Sequence, residues 1–218
     1  MLVDTRIRPL DGAGLIRELD AVLAVYAAAM GSSPEQLPGR RMMMERHARY
    51  PAFRGLVAVS AVGPRGEPAG KSAGGPGGEA PGEPPRGEHG RIVGIGYGFR
   101  GAAGQWWHDM VESAITAAAG REAARAWMTD SFEVGELHVH PDQQGRGIGR
   151  QLLLRLTAGR PERSAVLSTL DAESRARRLY RSSGFTDLLT GFRFPGGGEP
   201  YAIMGAALPL RAGPHPAG

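Results

Sequence analysis

The sequence predicts an α/β fold: a single domain in which a mixed β-sheet is flanked by helices. Three observations predict it. Short runs rich in β-branched residues alternate with segments whose apolar residues recur at helical spacing. The elements follow the order ββ, then βαβ, then αββ, which requires strands of both directions in one sheet. A chain of 218 residues with 41% hydrophobic content can also bury one sizeable core.

Residues 3–9 read as a short strand. From Ala13 to Met30, Leu15, Leu19, Val22, Leu23 and Tyr26 mark one helix that ends near Gly31. Pro34 to Tyr50 reads as a second helix, interrupted at Pro38–Gly39. "FRGLVAVSAVG", 53–63, and "RIVGIGYGF", 91–99, read as paired strands. Between them, residues 64–90 contain no Val, Ile, Leu, Phe, Tyr or Trp. Such a segment buries too little to offset its ordering entropy, so a disordered Gly/Pro-rich hairpin insertion is expected there. Residues 104–130 form a helical stretch broken near Gly120. A strand (132–139), a glycine turn, a helix (147–158), a strand (164–169), a helix (173–182) and strands at 185–194 and 201–207 complete the domain, 1–208. Residues 209–218 read as a flexible tail.

The bulk composition excludes several classes. There is no cysteine, so disulfides and cysteine metal sites are ruled out. The net charge of +4 is carried almost wholly by arginine, Lys71 being the lone lysine, and acidic residues are interspersed. With no long basic run, no nucleic-acid partner is expected. The first twenty residues lack a basic-then-apolar signal pattern, and no apolar run reaches spanning length. A cytoplasmic protein with no membrane partner is the expectation.

The informative stretch is "HPDQQGRGIGRQLL", 140–153. It lies between the strand "FEVGELHV" and the helix "IGRQLLLRL". A helix that starts here points its free N–H groups and positive dipole end into the turn. Gly145, Gly147 and Gly149 let a ligand approach closely, and Arg146 and Arg150 add charge, which suits a pyrophosphate. The Walker loop, G-x-x-x-x-G-K-[ST], is absent. The dinucleotide fingerprint fits in part: Asp171 mimics its ribose-binding acid, but five residues separate Val139 from the first glycine.

The better fit is Q/R-x-x-G-x-G/A, met by Gln144, Gly147 and Gly149. With its strand and "V-x-P" step, and with "ARRLYRSSGF" some thirty residues on, the chain resembles the GCN5-related N-acetyltransferase (GNAT) superfamily. The resemblance covers most of the chain outside 64–90 and the tail. It implies central parallel strands that splay apart around acetyl-CoA. The backbone of Leu137, His138 and Val139 would pair with the pantetheine arm. The amides of Gly145, Arg146, Gly147, Ile148, Gly149 and Arg150 would hold the pyrophosphate, with Gln144 as part of the loop. The activity implied is acetyl transfer to a primary amine by direct attack in a ternary complex, with no metal.

That reaction needs a proton acceptor for the incoming ammonium and a donor for the departing thiolate. Glu133 lies eleven residues before Gln144, a placement similar to the glutamate base of the histone-modifying members. Glu136 takes the acidic position that other members show. A regular strand would send the two to opposite faces and a bulge would change that, so either glutamate remains open as the base. Tyr180 matches the family tyrosine and is the candidate donor. The family often has a cofactor-contacting asparagine seven residues earlier, where this chain has Glu173. A carboxylate cannot donate as an amide does, so Glu173 would act through its backbone or as a helix cap. His138 and His140 share a strand face but lack a third ligand nearby, and read as surface or cleft-wall residues. Trp106 and Trp107, with Tyr97, wall an acceptor pocket or pack the core. The trio Met42–Met44 reads as packing. Two other functions share the glycine turn: a non-catalytic acyl-CoA sensor, and a dinucleotide-binding oxidoreductase. The acceptor amine and a homodimer are both left open.

Overall fold

A computed structural model describes residues 5–60, 90–196 and 198–210. The expected insertion, apart from Gly90, and all but two residues of the expected tail lie outside the described residues. The chain forms β1 (Thr5–Leu10), α1 (Gly12–Arg17), α2 (Leu19–Met30), α3 (Leu37–His47), β2 (Arg54–Ser60), β3 (Arg91–Arg100) and α4 (Trp106–Met128). Then follow β4 (Ser131–Val139), α5 (Ile148–Thr157), β5 (Ser164–Leu170), α6 (Arg175–Ser182), β6 (Thr186–Phe192) and β7 (Tyr201–Ala207). The seven strands are hydrogen-bonded in the order β1-β2-β3-β4-β5-β7-β6. The mixed direction expected from the element order is present: β4 and β5 are parallel, while β1–β2, β5–β7 and β6–β7 are antiparallel.

Two compact units divide the chain, and both β3 and β4 contribute to each. The first comprises residues 1–97 and 136–152. Here β1 pairs with β2 from Thr5↔Ser60 to Leu10↔Gly55. Asp11 caps α1 by accepting from the Gly14 N–H at 2.7 Å. The single helix expected over 13–30 is two. At Glu18 the backbone opens to φ −102°, ψ 15°, and the Glu18 carboxylate takes the Arg8 guanidinium of β1. The hydrogen-bond chain nevertheless continues through Glu18, so Leu15, Leu19 and Val22 stay in phase and buried. Gly31 ends α2 in the left-handed region at φ 63°. The interruption expected at Pro38–Gly39 is absent. A 3-10 turn at Pro34–Gln36 leads into α3, and Pro38 falls in the first helical turn, where a missing N–H leaves no bond unmade. Ala58, Val93, Ile148 and Leu152 form the core, with Ile7, Leu56, Leu137 and Val139 packed against it.

The second unit comprises residues 98–135 and 153–218. Gly120, at φ 89° and ψ 166°, breaks α4 where the sequence places the break. The parallel ladder of β4 with β5 has three pairs, Ser131↔Ser164 to Glu133↔Val166. By contrast β5 pairs with β7 along seven, Ser164↔Ala207 to Leu170↔Tyr201. The core gathers Val111, Ile115, Ala124, Met128, Val166 and Ile203. Trp127 packs so close to β7 that a Cβ on Gly205 would lie 2.8 Å from its ring. Ser174 caps α6 by accepting from the Arg177 N–H. Arg177, buried, then bridges Asp171 after β5 and Asp187 on β6, fixing the helix that carries Tyr180.

Candidate active site

The glycine turn belongs to the first unit. The His140 N–H donates to the Val93 carbonyl at 2.8 Å, which ends β4. Pro141–Gln143 make one 3-10 turn, and Gln144 Nε2 donates back to the Val139 carbonyl at 3.0 Å. Gln144 therefore closes the loop on itself. Gly145 and Gly147 have φ of 78° and 77°, and both are exposed. A Cβ on either would meet nothing within 4 Å of the protein itself. What demands glycine here is the left-handed backbone, not crowding by the fold. Helix α5 begins at Ile148, one residue later than expected, and the Gln151 N–H donates to the Gly147 carbonyl. The N–H groups of Ile148, Gly149 and Arg150 precede that first helical bond and have no helical acceptor. Ile148 is buried in the core and anchors them; Arg146 is exposed and Arg150 half-buried. The side chains of Leu137 and Val139 serve the same core.

Glu136 and His138 form a charge cluster in this unit. Arg40 Nη1 donates to Glu136 Oε1 at 2.7 Å, and His138 Nε2 meets Oε2. The Arg40 guanidinium also lies 4.4 Å from the centre of the Tyr26 ring, and His138 packs edge-on against the same ring. Burial raises the Glu136 pKa, but His138, Arg40 and His47 outweigh it and hold the carboxyl below its ordinary value. Both of its oxygens are engaged and the carboxylate is firmly ionised, which makes it a poor proton acceptor. His47 Nδ1 lies 3.1 Å from the hydroxyl of Tyr97, which is fully buried. Burial, with Arg46 and Arg40 nearby, pushes His47 down to about 4, against the pull of Glu136.

That shift has a pH signature. The folded value lies below the ordinary 6.5, so the contribution of neutral His47 is complete above 6.5 and is lost as pH falls toward 4. The loss should reach at most about 3 kcal/mol. Urea denaturation at several pH values should show it, and His47→Gln should flatten that part of the profile. An unchanged slope in the variant would refute the assignment.

Glu133 sits in the second unit and has different partners. His108 Nδ1 of α4 lies 2.7 Å from Glu133 Oε1, and both side chains are buried. Burial raises the Glu133 pKa and the net shift is upward, although the His108 hydrogen bond and charge pull it down. Burial lowers His108, but its hydrogen bond to Glu133 and the charges of Glu133, Glu112 and Asp109 leave it raised. Glu133 Oε2 is buried without a hydrogen-bond partner among the described residues. A carboxylate with a raised pKa and a free oxygen is a better proton acceptor than one held below its ordinary value.

Tyr180 lies buried on α6, its ring 5.7 Å from that of Phe185. Glu173 does not cap that helix: Ser174 does, and Glu173 forms an exposed pair with Arg181 at 2.7 Å. Asp171 accepts from Arg177 and from the Gly191 N–H. His138 and His140 are mostly buried, not surface residues; His140 Nε2 lies 3.0 Å from Arg91 Nη2. No group of three metal-ligating side chains occurs among the described residues. Trp107 donates to Ser168 Oγ and packs in the core, whereas Trp106 is exposed beside Phe194. Of the methionines, Met44 is fully buried but Met42 is exposed. Sequence reading passed over Arg40, His47, His108 and Gly101 as site residues. Each meets its partner through the fold, and no local motif marks them.

Comparison with known proteins shows the family and the fold. The family described as "Acetyltransferase (GNAT) domain" matches residues 88–187. A GCN5-like protein acetyltransferase of Mycobacterium tuberculosis is 35% identical over 198 residues, 89% of this chain and 93% of that protein. Among solved structures, Arabidopsis thaliana NAA60 in complex with acetyl-CoA shares the fold at a TM-score of 0.55 and 14% identity, over 94% of this chain and 99% of that one. The Salmonella typhimurium protein yncA with its cofactor acetyl-CoA does so at 0.52 and 19%, over 98% and 99%. The chain belongs to the GCN5-related N-acetyltransferase family, the acyltransferases whose acetyl donor is acetyl-CoA. The oxidoreductase alternative falls with that assignment. No helix among the described residues is long and apolar enough to cross a membrane.

Proposed function

We propose that the chain transfers the acetyl group of acetyl-CoA to a primary amine of a protein, by direct attack in a ternary complex. One observation carries the donor assignment: the 144–150 loop presents two left-handed glycines and the bare N–H groups of α5 at the end of β4. That donor set suits a diphosphate. The backbone of Leu137, His138 and Val139 pairs with the pantetheine arm, and the amides from Gly145 to Arg150 take the diphosphate. Glu173 has no assigned part, its carboxylate being held by Arg181. The protein acceptor follows the name of the mycobacterial relative.

Glu133 is the proton acceptor, because Oε2 is free and the pKa is raised, whereas both oxygens of Glu136 are occupied. The acceptor ammonium loses one proton to Glu133, and its nitrogen attacks the thioester carbonyl carbon. The N–C bond forms, the C–S bond breaks, and the thiolate takes a proton from the Tyr180 phenol. The nitrogen sheds its second proton to the Tyr180 phenolate, which restores the phenol, and Glu133 releases the first to solvent. Calorimetry with acetyl-CoA, alongside acetylation of lysine-containing peptides, tests the reading. Tyr180→Phe should lower kcat at least about tenfold with donor affinity intact. Acetyl-CoA binding without turnover on any peptide or small amine would instead indicate a sensor, and absence of binding would remove the loop assignment.

A further inference from the structure

We propose that His108 is a positioning residue that holds the Glu133 carboxylate so that Oε2 faces the acceptor amine; this rests on Glu133 being the base. Four observations carry it. The His108–Glu133 contact is short, at 2.7 Å, and its two side chains come from separate elements, α4 and β4. Glu133 uses Oε1 for that contact and leaves Oε2 buried and unpartnered among the described residues. Ser131, the hydroxyl residue on the same strand, gives its proton to the Met128 carbonyl at 3.1 Å and not to Glu133. Finally, the backbone at Gly101 closes over the pair. A Cβ there would lie 2.5 Å from Glu133 Oε1, 2.5 Å from Ser131 Oγ and 2.8 Å from His108 Nδ1. The Gly101 N–H donates to the Ser131 carbonyl at 2.9 Å, which fixes that approach.

A buried carboxylate with an unmade hydrogen bond is costly as a purely structural feature. The cost is understandable where the free oxygen has a task. His108 acts through Nδ1–H, the tautomer a carboxylate acceptor selects. In the proton transfer, an N–H bond of the ammonium breaks and an O–H bond forms at Oε2. The Nδ1–H···Oε1 bond persists throughout. The charged groups facing the pair are Asp109 and Glu112, both on α4. Because His108 lowers the Glu133 pKa, removing it should move the acidic limb of the kcat/KM profile to higher pH.

The test uses the full chain with acetyl-CoA and a lysine peptide. In His108→Asn, the amide stands close to the Nδ1 position and can still donate to Oε1; in His108→Gln it stands nearer Nε2 and cannot. We expect His108→Asn to keep most of the wild-type kcat and to shift the limb less than His108→Gln, because it restores the hydrogen bond but not the charge. His108→Gln should lose at least about tenfold in kcat and shift the limb upward, with KM for acetyl-CoA unchanged. Equal behaviour of the two variants, or an unshifted limb in His108→Gln, overturns the proposal. Glu133→Gln, run in parallel, separates the two levels. Turnover preserved in Glu133→Gln removes the base itself, whereas an inactive Glu133→Gln beside a fully active His108→Gln removes only the role of His108.

Discussion

Glu133→Gln should lower kcat by about 10²–10⁴-fold while leaving acetyl-CoA affinity and the melting temperature nearly unchanged. Glutamine has the shape of glutamate and its amide can still meet His108, so the 2.7 Å contact can survive the change. What disappears is the ability of the free oxygen to take up a proton. Single-turnover kinetics with saturating donor would read the chemical step directly. The contrast with Glu136→Gln sharpens the test. Removing the Glu136 charge leaves Arg40 and His138 around a neutral group in a mostly buried cluster. Its penalty should therefore fall on stability, with unfolding in urea moving to lower concentration. If instead Glu136→Gln abolished turnover in a well-folded protein and Glu133→Gln did not, the assignment of the base would reverse.

The two glutamates also show how far the sequence could be read. The strand that holds them, and the loop after it, were legible because local rules act there: β-branched residues, a proline step and glycines at fixed spacing before an apolar helix. The Gly120 break in α4 and the Gly31 stop of α2 were legible for the same reason, both residues having positive φ. The choice between Glu133 and Glu136 was not. It depends on His108, 25 residues upstream, and on Arg40, 96 residues upstream, and neither distance has a signature in the chain. Helix breaks that lack a glycine were also misplaced. Glu18 opens the α1–α2 junction without a breaker residue, while Pro38, which looked like an interruption, is absorbed by the first turn of α3. Sequence signals report backbone conformation well where glycine is required. They report poorly where a contact distant in sequence decides which face a side chain takes.

Gly147→Val should weaken acetyl-CoA binding about 10–100-fold, with little loss of stability in the free protein. A β-branched residue at φ 77° carries strain of order 1–3 kcal/mol, and each 1.4 kcal/mol is about tenfold in affinity. Because a Cβ at this position would touch nothing within 4 Å, the free loop can relax away from the strained conformation. The strain then appears on binding, when the N–H groups before α5 must be aligned on the diphosphate. Gly147→Asn separates two causes that the valine variant combines. Asparagine tolerates the left-handed region but still has a Cβ. If the loop needs only its conformation, Gly147→Asn keeps most of the affinity. If the ligand lies against the backbone, asparagine loses nearly as much as valine. Should Gly147→Val bind acetyl-CoA as tightly as the native chain by calorimetry, the diphosphate lies elsewhere, and the 144–150 loop has no part in holding the donor.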